Sequence, residues 1–324
     1  MTPQGPHRQP FALDRARMSS RTILTGCLAL LAGSVVAACG SPSSATSDGP
    51  SGNHLNVVAG ENFWGSLVAQ LGGAQVTVTS VVTDPNADPH DYQSSAGNAR
   101  AFATAQYVII NGAGYDNWAQ KLLDANQSSN RTVFKVADLL GKKEGDNSHF
   151  WYSPGYVEKV ADRITRDLSS IDSADAAYFS QQRAAFETTL KPYHDRIAAI
   201  KSKFAGQKVA ATESIFAYMA DALGLAVISP PEFMKAVAEG NDPPAETVTT
   251  FQQQLRSREA TVLVYNQQTS TDVTNNLRQL AVQQNIPIVG VTETTQPPDT
   301  SFQTWMVAEL NDLQNALNAG ALVK

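Results

Sequence analysis

FETTLKPYHDRIAAIKSKF, residues 186–204, carries apolar side chains separated by four, three, four, three and four residues. This spacing places them on one face of an α-helix. The helical pattern reaches back to residue 174, so the helix is about 45 Å long at 1.5 Å per residue. Pro192 lies inside it, and an interior proline predicts a kink or a break. A rod of this length can run along two lobes and tie them together.

Short runs rich in β-branched residues occur on both sides of this stretch, with helical patterns between them. Alternation of strand and helix indicates parallel sheets covered by helices. The predicted fold class is therefore α/β, with two lobes, each a mostly parallel sheet flanked by helices, joined by one long linking helix. We predict a first lobe at 54–170, a linking helix at 171–205 and a second lobe at 206–324. The strand runs are 55–59, 76–82, 106–111 and 132–136, then 208–211, 226–229, 261–265 and 286–291.

The amino terminus has the pattern of an export signal. Residues 23–38 are uncharged and mostly apolar, and arginines precede them. This run is shorter than the ~20 residues of a membrane-spanning helix, so residues 1–38 are predicted to be a signal peptide, starting at Met1 or at Met18. An uncleaved anchor helix is the alternative.

The signal ends in Val-Ala-Ala-Cys, which resembles a bacterial lipobox and makes Cys39 the predicted lipidation site. Ten of the 14 residues at 40–53 are Gly, Ser or Pro, which is typical of a flexible tether; the tether is predicted at 39–53. The expected location is the extracytoplasmic face of the bacterial cell membrane, with the protein anchored by lipid rather than spanning the bilayer.

Charge and cysteine content exclude several function classes. The net charge is −6, and it becomes −9 without the first 39 residues, which carry +3. Proteins that bind nucleic acid usually show a basic face, so no nucleic-acid partner is expected. Cys27 and Cys39 are the two cysteines. A chain starting at Cys39 therefore has one thiol, which excludes thiolate catalysis, zinc knuckles and an internal disulfide in its body.

Two histidines follow predicted strands of the first lobe. His90 lies in DPNADPHDY (84–92), a proline-rich loop after strand 76–82, and His149 lies in NSHFW (147–151). Loops at the carboxyl ends of parallel strands carry the ligand sites of open α/β sheets, and imidazole is the commonest metal ligand. Each could instead be an ordinary surface histidine. His54 and His194 are expected to be solvated.

Two carboxylates occupy equivalent places in the second lobe. Glu213 follows strand 208–211, and Glu293 follows strand 286–291. Either could instead cap a helix or a turn. Together with the two histidines they would form a cage of two nitrogen and two oxygen ligands in the cleft, which suits zinc, manganese and similar transition metals.

Several segments resemble the cluster A-I solute-binding lipoproteins of bacterial zinc/manganese ABC importers. The resemblance covers residues 55–319 and implies two α/β lobes joined by one long helix, a metal ion in the cleft and small closure motions. The segments that carry it are ENFWGSLVAQLGG (61–73), DPHDY (88–92), NGAGYDNW (111–118), HFW (149–151), ATESIFAYMADALGL (211–225) and IPIVGVTET (286–294).

Carried over by position, the resemblance implies that His90 and His149 are the first-lobe ligands. The third family position is His in typical zinc members and Glu in typical manganese members, and here it is Glu213. The fourth is usually Asp, whereas this chain has Glu293, with Asp299 as an alternative. Residues 141–148 contain no histidine, unlike the long His-rich loop of many zinc members. The choice between Zn²⁺ and Mn²⁺ stays open.

The leading hypothesis is a receptor rather than an enzyme. It would capture Zn²⁺ or Mn²⁺ outside the membrane as a monomer and deliver the ion to the permease of an ABC importer. A four-ligand site suits capture, because a catalytic zinc keeps an open position for water. The alternatives are an adhesin or interaction lipoprotein with a structural metal, a siderophore or haem receptor, and a metallohydrolase, although neither His90 nor His149 belongs to an HExxH motif. Affinity is expected to fall below about pH 6, where histidine takes up a proton.

Overall fold

The computed structural model describes residues 54–86 and 88–322. The predicted signal peptide, Cys39 and the tether therefore lie outside the described residues. Within the described residues, no helix combines the length and the apolar character that crossing a bilayer requires.

The first lobe is a four-stranded parallel sheet with strand order β2-β1-β3-β4. All four residues of β3 are buried, as expected for a parallel strand covered on both faces. Gly65 lets α1 approach the sheet, because a Cβ there would lie 2.0 Å from Ser80 Oγ. The elements are β1 (Leu55–Glu61), α1 (Asn62–Gly72), β2 (Val76–Val82), α2 (Ala96–Thr104), β3 (Tyr107–Ile110), α3 (Asn117–Ala125), β4 (Thr132–Lys135), α4 (Val136–Leu140) and α5 (Pro154–Ile171).

The second lobe repeats this arrangement, with parallel strands in the order β6-β5-β7-β8. Helix α10 begins with a reciprocal cap, in which the side chains of Thr271 and Thr274 accept from each other's backbone N–H, a pairing that satisfies free donors at a helix start. The elements are β5 (Lys208–Ala211), α7 (Ala217–Leu223), β6 (Ala226–Val227), α8 (Pro231–Ala238), α9 (Ala245–Arg256), β7 (Leu263–Asn266), α10 (Asp272–Gln283), β8 (Ile288–Val291) and α11 (Phe302–Leu322).

The long helix between the lobes is α6 (Ala176–Phe204), 29 residues in length. It is one helix through Pro192, so the predicted break is wrong. Helix α6 buries Phe186 and Leu190 before the proline and Tyr193 and Ile200 after it. Packing on both sides offsets the backbone hydrogen bond that a proline removes. The predicted fold class, two parallel α/β lobes and one long helix, is confirmed.

The two lobes share one hydrophobic core. A continuous cluster of buried side chains includes Trp64 and Trp151 of the first lobe, Leu190 of α6, and Val264 and Trp305 of the second. Separating the lobes would expose this apolar surface to water, which is unfavourable in proportion to its area. The core therefore opposes wide opening of the cleft.

Polar contacts also cross from lobe to lobe. Thr295 N donates to Asn62 Oδ1 at 3.1 Å, and Phe302 N donates to Ser66 Oγ at 2.9 Å. The start of α11 is thus tied to α1 of the first lobe. These hydrogen bonds add to the shared core in holding the two lobes together.

Candidate metal centre

His90 lies in the loop that follows β2, eight residues beyond the end of the strand, in a single 3-10 turn formed by Pro89–Asp91. The side chain of Asp88 begins the turn by accepting a hydrogen bond from His90 N at 2.9 Å. The prolines and this cap fix the loop locally. The imidazole ring contacts Tyr115 edge-on, with ring centroids 4.5 Å apart.

Asn147 contacts the Nδ1 side of the His149 ring. Asn147 Nδ2 donates to Ser214 O at 2.8 Å, which fixes the orientation of the amide, so Asn147 Oδ1 is the atom 2.7 Å from His149 Nδ1. A carbonyl oxygen can only accept, so Nδ1 carries the hydrogen and Nε2 of the neutral ring presents its lone pair. The Nε2 lone pair faces the cleft.

Glu213 and Glu293 each lie two residues beyond the end of their strands, β5 and β8, and their relative exposures are 1% and 0%. Asn266, at the end of the strand between them, donates its side-chain amide to Glu213 Oε2 and, at 2.7 Å, to Glu293 Oε1. Tyr115 OH donates to Glu293 Oε2 at 2.9 Å. Neither Asn266 nor Tyr115 was singled out from the sequence. Asn266 could have been found by the rule used for the glutamates, since it ends a buried strand.

The structure brings the four predicted side chains together between the lobes. His149 Nε2 lies 3.1 Å from Glu213 Oε1 and 3.4 Å from Glu293 Oε1. One ligand atom each from His90, His149 and Glu293 lie within 4.8 Å of one another, whereas Glu213 joins this group through its contact with His149. Asp299, the alternative fourth ligand, is exposed and does not belong to this cluster.

The cluster consists of acceptors that face one another. Within the described part of the chain, no N–H or O–H group donates a hydrogen bond to His149 Nε2 or to Glu213 Oε1, although both atoms are buried. Buried polar atoms without partners are costly. A cation among them, either a metal ion or protons, would satisfy all of them at once.

Burial controls the protonation of these groups. The pKa of Glu213 is raised to about 8: burial is the main cause, His149 opposes the rise and Glu293 adds to it. Burial likewise raises the pKa of Glu293 and lowers the pKa of His149. In the metal-free protein the glutamates therefore hold protons more tightly, and the histidine less tightly, than they would in water.

A cavity of about 520 Å³ leads from the surface to both histidines. Its walls carry Asp88, Glu144, Asp146 and Glu239, with Lys235 as the single cation among its lining residues. Lys235 is paired with Glu239. A cleft lined mainly by carboxylates attracts cations and raises their local concentration.

The other two described histidines lie elsewhere. His54 is exposed, as expected. His194 is not freely solvated: its Nε2 lies 3.2 Å from Glu158 Oε1, and its side chain is 32% exposed. Glu187 completes a second group of ligand atoms within 4.8 Å. Arg183 already donates to Glu187 at 2.8 Å, so a protein cation partly balances the charge of this group.

The family model described as "Zinc-uptake complex component A periplasmic" matches residues 57–316. The chain belongs to this zinc-uptake family. The predicted membership is confirmed, and the family is one of transport proteins rather than of enzymes.

Curated relatives include the manganese-binding lipoprotein MntA of Halalkalibacterium halodurans. It is 25% identical over 199 residues, which cover 59% of this chain and 64% of MntA, just under two thirds of that protein. The manganese ABC transporter substrate-binding lipoprotein PsaA of Streptococcus mitis is 25% identical over 244 residues, covering 68% of this chain and 74% of PsaA. Relatives of this family are thus named for metal binding, for ABC transport and as lipoproteins.

Solved structures share the fold. The Mn-bound S38A mutant of a periplasmic metal-binding protein from Candidatus Liberibacter asiaticus superimposes with a TM-score of 0.69. The match covers 81% of this chain and 98% of that one, at 16% sequence identity. At this identity the likeness concerns the fold alone.

Proposed function

We propose that this chain is the extracytoplasmic solute-binding lipoprotein of a metal ABC importer. It captures Zn²⁺ or Mn²⁺ in the cleft between its lobes and hands the ion to the permease. One observation carries the proposal: an imidazole lone pair and two carboxylates are buried side by side. His149 Nε2 lies 3.1 Å from Glu213 Oε1 and 3.4 Å from Glu293 Oε1. Family membership supports it.

The ligands in this proposal are His90, His149, Glu213 and Glu293. Asn147 holds the His149 tautomer, and Asn266 and Tyr115 hold the two carboxylates. Such outer hydrogen bonds orient metal ligands and tune their affinity. A site filled by four protein ligands leaves no open position for a reacting water, so it suits binding and release rather than hydrolysis.

All four ligands come from one chain, so a monomer is sufficient for binding. We further propose that Cys39 carries the lipid, that residues 1–38 are removed as the signal peptide and that 39–53 form the tether. The names of MntA and PsaA as lipoproteins support this arrangement. The proposed lobes are 54–170 and 206–324, and α6 is the linking helix within 171–205.

The proposal predicts that the metal-stripped full chain binds one Zn²⁺ or one Mn²⁺ per molecule. Titration of each ion separately by calorimetry, with the protein in detergent, measures stoichiometry and affinity, and the tighter ion is the expected cargo. Circular dichroism of the stripped protein is the control, since a receptor stays folded without its cargo, whereas a protein with a structural metal unfolds. Failure to bind either ion would contradict the proposal.

Metal affinity should fall as the pH falls below about 8. In the metal-free protein Glu213 has its pKa raised to about 8 by burial, so below that pH a proton must leave before the metal binds. One released proton lowers affinity roughly tenfold per pH unit. His149 has a lowered pKa and competes only at lower pH, so the fall begins above the pH 6 expected from histidine.

Calorimetric titrations between pH 5 and 9 measure this dependence, and buffers of different ionisation enthalpy report the proton released. Affinity should level off above about pH 8, where the Glu213 carboxyl is ionised. An affinity that does not change between pH 7.5 and pH 5 would show that no ligand proton is displaced.

A further inference from the structure

Glu309 is a carboxyl group that metal capture does not use directly. It lies on α11 and turns inward, where Trp305 Nε1 donates to its Oε1 at 2.9 Å. Burial raises the pKa of Glu309 to about 8. Burying a carboxyl group costs free energy unless hydrogen bonds replace those that it made to water.

The hydrogen bonds of Glu309 join two segments that approach from different lobes. Tyr152 OH lies 2.7 Å from Glu309 Oε2, and Thr292 N donates to Glu309 Oε1 at 3.1 Å. Tyr152 OH also lies 3.0 Å from Thr292 O. One carboxyl group therefore holds a first-lobe side chain and a second-lobe backbone together.

Both segments carry candidate ligands. Tyr152 ends the 3-10 turn that begins directly after His149, and Thr292 immediately precedes Glu293. His149 Nε2 and Glu293 Oε1 are 3.4 Å apart across the lobes. Tyr152 is three residues from His149, and Thr292 is one residue from Glu293. A change in the distance between Tyr152 and Thr292 therefore moves the two ligand atoms relative to each other.

We propose that Glu309 is a positioning residue for metal binding: by clamping Tyr152 to Thr292, it sets the separation between His149 and Glu293. This inference rests on the proposed function. Helix α11 supplies none of the four proposed ligands, and yet through Glu309 it controls the affinity of the site. Ligands must be held within about 0.5 Å of the productive geometry, so loosening the clamp weakens binding without removing a ligand.

The balance of donors and acceptors around Tyr152 indicates which substitution should preserve the clamp. Tyr152 has one phenolic hydrogen but faces two acceptors, Glu309 Oε2 and Thr292 O. A proton on Glu309 Oε2 resolves this, because Glu309 then donates to the Tyr152 oxygen and Tyr152 donates to Thr292 O. A glutamine amide can make the same donation, whereas leucine of similar size cannot.

The test compares Glu309→Gln, Glu309→Leu and Tyr152→Phe in the full chain. The control is Tyr107→Phe, which removes another buried tyrosine hydrogen bond, 3.0 Å to Asp167 Oδ2, far in sequence from any ligand. Each metal-stripped variant is titrated with Zn²⁺ and with Mn²⁺, and its melting temperature is measured without metal. The difference between affinity and melting temperature separates positioning from general stability.

Loss of a group that hydrogen-bonds to a metal ligand typically costs 10–100-fold in metal affinity, and because Glu309 acts one step further from the ligands, the lower end of this range applies. We expect about this loss for Glu309→Leu and Tyr152→Phe, near wild-type affinity for Glu309→Gln, and unchanged affinity for Tyr107→Phe even where its melting temperature falls. Wild-type affinity in Tyr152→Phe and in Glu309→Leu would overturn the inference and leave the proposed function standing. An equal loss in Tyr107→Phe would also overturn it, whereas a wild-type protein that binds neither ion refutes the proposed function first.

Discussion

His149→Ala should lower the affinity for Zn²⁺ or Mn²⁺ by at least about a hundredfold. A structural four-ligand zinc site contributes about 10–16 kcal/mol, so one ligand accounts for several kcal/mol. The lone pair of His149 Nε2 also lies closest to the glutamate oxygens, at 3.1 and 3.4 Å. The substitution leaves two buried carboxyl groups without the imidazole, so the metal-free protein must hold protons there instead. Calorimetric titration of the stripped variant measures the loss.

His90→Ala should act in the same direction, because His90 contributes to the same group of ligand atoms. His194→Ala is the matched control: it removes an imidazole of α6 that pairs with Glu158 of α5 and does not line the cleft. Its affinity should equal that of the wild type. Equal losses in all three variants would refute the assignment of the site.

Glu293→Gln should produce the second large loss, again about a hundredfold. The amide keeps the size of the side chain but removes a negative charge from beside a divalent ion, where charge-assisted contacts are strongest. In the wild type, Asn266 Nδ2 and Tyr115 OH both donate to the Glu293 carboxylate. The N–H₂ group of glutamine cannot accept a hydrogen bond, so one of these two donors loses its acceptor. Glu213→Ala should weaken binding as well.

Asp299→Asn is the control for Glu293→Gln, since Asp299 is the exposed acidic residue six positions further along the chain. It should bind metal as the wild type does. If Asp299→Asn lost binding while Glu293→Gln kept it, the fourth ligand would be Asp299, and the cleft would have to rearrange around it. Melting curves of both variants show whether the fold is retained.

The periodicity of residues 186–204 and the two sets of β-branched runs were sufficient to predict the fold. These are local signals: helix spacing follows from 3.6 residues per turn, and buried parallel strands are continuous apolar runs. Pro192 was misread as a possible break because the buried faces that keep α6 whole, from Phe186 to Ile200, come from distant segments. Local sequence does not report such packing.

The four candidate ligands were found because each follows a strand, and the carboxyl ends of parallel strands meet at one edge of a sheet. That rule works along the chain and needs no knowledge of the partner lobe. It left the choice between Glu293 and Asp299 open, because both follow β8 in sequence. The structure places Glu293 beside His149 and leaves Asp299 exposed.

The sequence alone thus determined the two-lobed fold, the long helix and the residue types at the cleft. Only the tertiary structure revealed that Asn147, Asn266 and Tyr115 contact the candidate ligands, and that Glu309 hydrogen-bonds to the two segments that carry His149 and Glu293. The physical reason is that periodicity and strand ends are encoded by neighbours in the chain. A hydrogen bond such as the one between Tyr152 and Glu309 joins residues 157 positions apart, and it exists only once the lobes have packed.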